Sequence, residues 1–196
     1  MDDVVRPYAT AIRRPSGGSA PARKLLPLIA EAPAVRSILD YGCGYGSDVG
    51  FYRANGYHAI GYDCYPPFGY SERPTQQFDL VTLVYVMNVV PSRAGRLAVL
   101  RDAAGFLAPT GLLFVVSRSA EEILSRARAK RWLAHSDGFW SNQSKGMFQH
   151  GLDESEILEL CGEVGLGIHP PVARFLSMRD TTAVLVRRLN DAALDI

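Results

Sequence analysis

The run Ser37-Ile-Leu-Asp-Tyr-Gly-Cys-Gly-Tyr-Gly46 constrains this chain more than any other stretch. An apolar segment ends at Asp40 and breaks into Gly42, Gly44 and Gly46. A buried strand that stops in alternating glycines lets the backbone turn sharply and come close to a ligand, because no Cβ intervenes. A short helical pattern follows at once, so free backbone N–H groups at a helix N-terminus point into the turn. Further along, His58-Ala-Ile-Gly-Tyr62 is a second apolar stretch, and it ends in Asp63. A carboxylate at the tip of the neighbouring strand is positioned to accept both hydroxyls of a ribose.

The glycine spacing separates this turn from other nucleotide-binding turns. A dinucleotide-binding loop needs Gly-x-Gly-x-x-Gly, and Ser47 stands where its third glycine would fall. A phosphate loop needs Lys-Ser/Thr after its last glycine, whereas Gly46 is followed by Ser47-Asp48. A carboxylate at that position repels a phosphate. The bland reading is a strand-turn-helix with no ligand at all.

Composition sets the outer bounds. A chain of 196 residues, 47% hydrophobic and 21% charged, suits one globular domain with its own core. Cys43, Cys64 and Cys161 are an odd, scattered set with no metal-ligand spacing, which points to a reducing compartment and no zinc. The opening residues lack a signal-peptide pattern and no apolar run is long enough to span a bilayer, so a cytoplasmic protein without membrane partners is expected. A net charge of +1 supplies no overall pull toward nucleic acid.

Along the chain, residues 13–21 read as a basic, turn-rich arm, and 22–32 as a short helix despite Pro27. We place residues 1–34 in an N-terminal arm and helix, and 35–196 in the main domain. Strands are predicted at 36–40, 58–63, 78–85 and 112–117, the third being the near-continuous apolar run of a parallel strand buried on both faces. Helices are predicted after Gly46, after Ser92 and over 119–132. In the helix after Ser92, Leu97, Leu100 and Ala104 line the buried face, with Arg93, Arg96 and Arg101 on the solvent side. Asp153-x-x-Glu156 marks a further helix start. Segment 64–77 holds three prolines and reads as loop, and 133–152 reads as irregular. The end, 173–178 with 181–188, reads as an antiparallel hairpin. Strands alternating with helices give a doubly wound α/β sheet with its ligand at the strands' C-terminal ends.

The pattern Asp40-Tyr-Gly-Cys-Gly-Tyr-Gly46 followed by the acidic strand end Asp63 resembles the first motifs of class I methyltransferases that use S-adenosyl-L-methionine (SAM). Phe78-Asp-Leu-Val and Leu107-Ala-Pro-Thr-Gly-Leu-Leu match, in order, later segments of that family, so the likeness runs from about residue 35 to 188. Thr10-Ala-Ile-Arg-Arg-Pro-Ser, Tyr85-Val-Met-Asn-Val-Val and Gly146-Met-Phe-Gln are also similar to methyltransferases associated with DNA phosphorothioation systems. The resemblance implies a Rossmann-like sheet with a C-terminal antiparallel hairpin, and SAM held by Asp40, Tyr41, Gly42, Gly44, Tyr45, Gly46, Asp63, Cys64, Tyr65 and Tyr85. Two departures stand out. The loop 64–77 is too short for the helix and third strand of the family, so that strand is expected to be missing or vestigial. The Asn/Asp/Ser-Pro-Pro-Tyr/Phe motif of DNA amino-methyltransferases is absent, since Tyr85-Val-Met-Asn-Val-Val-Pro91 stands in its place.

Methyl transfer from a sulfonium is an in-line displacement that needs positioning and sometimes a base, but no covalent nucleophile. Tyr85, Asn88 and His150 are the candidate catalytic residues; packing, helix-capping and structural roles compete with that reading. The aromatic and amide side chains of 133–152 suggest a lid over the site. Arg13 and Arg14 are candidates to fold over the cofactor. The expected acceptor is a small molecule or a nucleic-acid base, and the alternative is a SAM-binding accessory protein without turnover.

Overall fold

The computed structural model describes residues 4–12, 17–32, 34–168 and 180–189. Four parallel strands come first: β1 (Ser37–Tyr41), β2 (His58–Tyr62), β3 (Phe78–Val84) and β4 (Leu107–Arg118). A long antiparallel strand, β9 (Thr181–Arg188), pairs with β4, and β8 (Leu166–Ile168) pairs with β9, giving the order β2-β1-β3-β4-β9-β8. The order reverses between β1 and β3, which is where a doubly wound sheet opens a crevice at its strands' C-terminal ends.

Alternate residues of each strand build two cores. Leu39, Val81, Val115 and Val184 face one side, with Leu100 of α3 (Arg93–Gly105) and Ile157 and Leu160 of α5 (Glu154–Glu163). Ile38, Leu80, Phe114 and Leu185 face the other, with Leu25 and Ile29 of α1 (Ala20–Ala30) and Val49 and Tyr52 of α2 (Ser47–Ala54). Each of those large side chains contributes about 1.5–3 kcal/mol by leaving water. The helix of the N-terminal segment therefore packs into the same core as the glycine-turn helix.

The helix starts follow their caps. Ser19 accepts from Ala22 N at 3.2 Å, Ser92 from Gly95 N at 3.2 Å and Asp153 from Glu156 N at 2.9 Å. Ser119 caps α4 (Ala120–Lys130), which has Glu121 and Glu122 in its first turn and Arg128 and Lys130 in its last, the sense that complements the helix dipole.

Segment 64–77 carries a single turn of 3-10 helix, Pro66–Phe68, and no strand, so β2 is the edge of the sheet and the third family strand is absent among the described residues. What replaces it is a set of side-chain caps. Arg53 Nε donates to Ala59 O at 2.7 Å. Arg73 pairs bidentately with Asp102 and lies over the Phe106 ring at 4.7 Å.

Three expectations are corrected. Segment 133–152 is not irregular: β5 (Leu133–His135), β6 (Gly138–Asn142) and β7 (Met147–Gln149) form a second, antiparallel sheet. Strands this short carry too few residues for a period-two signal. Gly138 is needed there, because a Cβ would lie 2.4 Å from Gln149 O. Arg96 is not on a solvent face; its side chain is 2% exposed and it bonds Asp137 of the β5–β6 turn at 2.5 Å and Val90 O at 3.1 Å. The strand predicted to begin at Leu112 is assigned from Leu107, with a register break opposite Phe78 and Leu80. The first predicted hairpin strand, 173–178, lies outside the described residues; β8 supplies the antiparallel partner, with Leu166 opposite Arg188.

Candidate functional site

A cavity of about 820 Å³ opens at the C-terminal ends of β1 to β4, within the range of small-molecule sites. One wall is the glycine turn. Gly42, Gly44 and Gly46 have φ of 74°, 53° and 71°, the left-handed region that glycine enters without steric cost. A Cβ on Gly42 would meet Val86 Cγ2 at 2.4 Å, and one on Gly46 would meet the Tyr70 hydroxyl at 2.2 Å. At Gly44 the nearest neighbour would be Ala11 Cβ at 3.6 Å, so this residue keeps open space at the cavity wall.

Asp63 stands at the tip of β2 and fixes the turn. Its Oδ2 accepts Gly44 N at 3.0 Å and its Oδ1 accepts Tyr65 N at 2.9 Å. Each oxygen spends one lone pair on the backbone and keeps capacity for another donor. Asp40, 4% exposed, accepts from Thr82 Oγ1 at 2.8 Å. Burial, then the neighbouring Asp48 carboxylate, push its pKa up to about 8, with Thr82 pulling the other way and Asp63 adding to the rise. Asp48 is held by Ser19, whose N and Oγ both donate to it at 2.6 Å. Burial and the adjacent carboxylates raise the Cys43 thiol, and burial followed by Asp63 raises Cys64, so neither is a thiolate nucleophile at neutral pH.

The predicted cofactor residues Asp40, Tyr41, Gly42, Gly44 and Tyr45 all line this cavity, as do Asp63, Cys64, Tyr65 and Tyr85. Gly46 does not; it turns the chain beneath Tyr70. Tyr65 is stacked on Tyr8 with ring centroids 3.9 Å apart, and Phe68 packs edge-on against Tyr65 and Tyr45 at 5.1 and 4.7 Å.

At the end of β3, Tyr85 has φ of 58°, costly for a bulky residue. Its N–H bonds Val116 O at 2.8 Å, and its ring carries the Arg118 guanidinium at 4.8 Å. Asn88 also lines the cavity, is 3% exposed, and donates to Gln149 Oε1 at 3.0 Å. Its own Oδ1 is buried with no hydrogen-bond partner among the described residues. An unsatisfied buried acceptor costs about 1–3 kcal/mol and is a natural place for a ligand donor.

His150 is not brought to the cavity. Its Nδ1 meets Asp137 O at 2.6 Å and its Nε2 meets Glu156 Oε1 at 3.1 Å, so both ring nitrogens serve the network that holds the second sheet to α5. The second sheet itself does cover the cavity, through Ser141, Asn142, Lys145, Met147 and Gln149.

Two features of the site escaped the sequence reading. The arm, with a 3-10 turn at Pro7–Thr10, forms a wall: Pro7, Tyr8, Thr10, Ala11 and Ile12 line the cavity, and Arg6 N donates to Gly146 O at 2.8 Å. A mixed stretch of Pro, Tyr and Ala carries no periodic signal; its one aromatic was the only cue. The second feature is Tyr70, whose hydroxyl sits over Gly46 while its carbonyl accepts Asp63 N at 2.9 Å. Arg13 and Arg14 lie outside the described residues. No group of carboxylates, histidines and cysteines among the described residues is arranged to hold a metal ion, and no described helix is long and apolar enough to cross a membrane.

A crevice at the switch point of this sheet, lined by an Asp-x-Gly-x-Gly-x-Gly turn and an acidic strand tip, defines a class I SAM-dependent methyltransferase. Residues 13–169 match the sequence profile of the methyltransferase-domain family Methyltransf_23, and the chain belongs to that family. No curated protein matches the sequence significantly. Among solved structures, the CcbJ methyltransferase from Streptomyces caelestis is 14% identical, with 97% of this chain and 100% of that one covered and a TM-score of 0.64. A SAM-dependent methyltransferase from Clostridium acetobutylicum is 12% identical over 86% of this chain and 91% of that one, also at 0.64. The 1,6-didemethyltoxoflavin-N1-methyltransferase of Burkholderia thailandensis, a structure with bound 1,6-didemethyltoxoflavin and S-adenosylhomocysteine (SAH), is 14% identical over 87% of this chain and 79% of that one, at 0.60. At these identities the likeness is one of fold. None of these matches shows the narrower link to phosphorothioation-associated methyltransferases.

Proposed function

We propose that the cavity binds SAM across the glycine turn and transfers its methyl group to a small molecule. The observation that carries this reading is the joint geometry of Gly44 and Asp63: an open glycine at the cavity wall, locked by a carboxylate that keeps acceptor capacity on both oxygens. Those free lone pairs match a ribose diol. The buried Asp40, with Asp48 behind it, matches a cationic amino-acid end, since a positive charge favours the ionised carboxylate that burial opposes. Tyr65, Phe68 and Cys64 offer an apolar wall for a purine ring. The donor set therefore fits SAM, which supplies an electrophilic methyl group on a sulfonium.

The chain's own task is then to orient and to keep water out. The arm and the second sheet close two sides of the cavity. Asn88 Oδ1, buried and unpaired, is suited to accept a hydrogen bond from the N–H or O–H of the methyl acceptor and so aim its lone pair along the displacement line. Gln149 holds the Asn88 amide in place through Nδ2. Tyr85, whose ring carries Arg118 and whose hydroxyl meets Thr181 Oγ1 at 3.3 Å, forms the adjoining wall. His150 has a positioning role, through Asp137 and Glu156, on the sheet that carries Gln149.

The test is methyl transfer from labelled SAM into a cell extract, fractionated into metabolites, nucleic acid and protein. Label in the metabolite fraction, with SAH accumulating in step, is the expected result. Label confined to nucleic acid would reassign the acceptor, and no SAH beyond a protein-free control would reduce the molecule to a SAM-binding accessory protein.

A further inference from the structure

The charged residues that line the cavity are sorted by sign. Asp40, Asp48 and Asp63 are its acidic members, and all three lie at the β1–β2 side. Arg118, Arg126, Lys130 and Lys145 are its basic members: Arg118 and the α4 pair come from the β4 end of the sheet, and Lys145 from the turn between β6 and β7, which the arm meets through Arg6 N on Gly146 O. Among the described residues, Lys130 and Lys145 have no carboxylate partner, Arg118 meets the Tyr85 ring and no carboxylate, and Arg126 is paired with Glu122. A solvated helix face would explain Arg126 and Lys130, which stand four apart on α4. It does not explain why a strand end and a distant turn bring Arg118 and Lys145 to the same cavity, or why the carboxylates that line it, among the described residues, all lie at the β1–β2 side. Cations that line one cavity with few counter-charges repel each other at some cost in stability, and an anion relieves it.

We infer that the methyl acceptor is a small organic anion, carrying a carboxylate or phosphate group held by Arg118, Lys145 and Lys130. This deepens the methyltransferase reading and rests on it. Two strand spacings separate β1 from β4, so the anionic group sits roughly 10 Å from the acidic, cofactor side. The orphan Oδ1 of Asn88 lies in the same cavity, at the end of the intervening strand β3, where the atom to be methylated belongs. The acceptor thus has a hydrogen-bond donor at its reacting end and negative charge several bonds away. A small anion is favoured over a polynucleotide because the basic residues line a cavity of about 820 Å³ that the arm and the second sheet wall on two sides.

The experiment uses protein saturated with SAH, titrated calorimetrically with phenyl phosphate and benzoate and with their neutral counterparts phenol and benzamide. At least one anion is expected to bind at least tenfold more tightly than its neutral partner. Lys145→Gln and Arg118→Gln are each expected to weaken the anion by about tenfold while SAH affinity stays within twofold. Equal binding of anions and neutrals, no binding of either anion, or indifference to both substitutions overturns the inference. Tighter binding of a single-stranded oligonucleotide than of either anion, lost steeply with salt, overturns it in favour of a polynucleotide. Failure of SAH itself to bind would instead strike the methyltransferase reading, so the two failures are distinguishable.

Discussion

At the scale of single residues, the site works through positions where an ordinary side chain or an ordinary pKa would fail. Gly44 is the position where the turn keeps open space beside the cavity. Gly44→Val places a β-branched side chain at a φ of 53° and into that space, and should abolish SAM binding while Gly50→Ala, with open space around its Cβ, leaves it intact. Asp40 titrates near 8 instead of its ordinary 3.8, mainly from burial and then from Asp48. Between those two values the native state holds a proton that the unfolded chain has lost. The stability Asp40 provides is therefore whole below about 4 and is lost as pH rises through about 8. Asp40→Asn removes the titration, so in the ligand-free protein the variant should gain on wild type by more than ~1 kcal/mol between pH 5 and pH 8. Thermal melts across that range check this, and a constant gap would count against it. Because a cation beside Asp40 favours its ionised form, SAM affinity of the wild type should rise with pH over the same interval.

At the scale of elements, the second sheet and the arm are the parts that turn an open sheet edge into a cavity. One buried cation ties the second sheet down: Arg96 of α3 reaches Asp137 of the β5–β6 turn and, at 3.5 Å, Glu156 of α5, which also meets His150. Removing one member of such a cluster leaves charges without their partner. Arg96→Leu should cost about 3 kcal/mol in chemical denaturation and speed amide exchange across 133–149. A loss under about 1 kcal/mol with unchanged exchange would show that the cluster does not anchor the sheet. The arm is held by Arg6 N on Gly146 O and by Tyr8 on Tyr65. Tyr8→Ala should therefore loosen both the arm and the purine wall. SAH should slow exchange in residues 4–12 of the wild type, and should slow it less in the variant.

At the scale of the whole molecule, the legible parts of the sequence were those whose physics is local or periodic. The parallel strands declared themselves as apolar runs, the helix starts as Ser92 and Asp153 caps, and the missing third strand as a proline-rich loop too short to hold it. The glycine turn and Asp63 were legible because backbone approach and an acidic strand tip each demand particular residue types. What stayed hidden depends on contacts far apart in sequence. Arg96 reads as a helix-surface cation until Asp137 and Glu156 fold around it, and His150 reads as a base until those neighbours take its nitrogens. The short strands of 133–149 are stabilised by cross-strand pairing, which no local period reports. The sorting of cavity charge is hidden for the same reason, since the chain as a whole is nearly neutral. The central claim is that SAM lies over the glycine turn with its ribose on Asp63, and calorimetric titration of SAM and SAH into wild type and Asp63→Ala tests it most directly. The account predicts one site in the wild type, and at least a tenfold weaker one in the variant from loss of charge-assisted bonds of about 1.5–3 kcal/mol each, with a cooperative melt retained. No binding to the wild type, or equal affinity for both proteins, would contradict it.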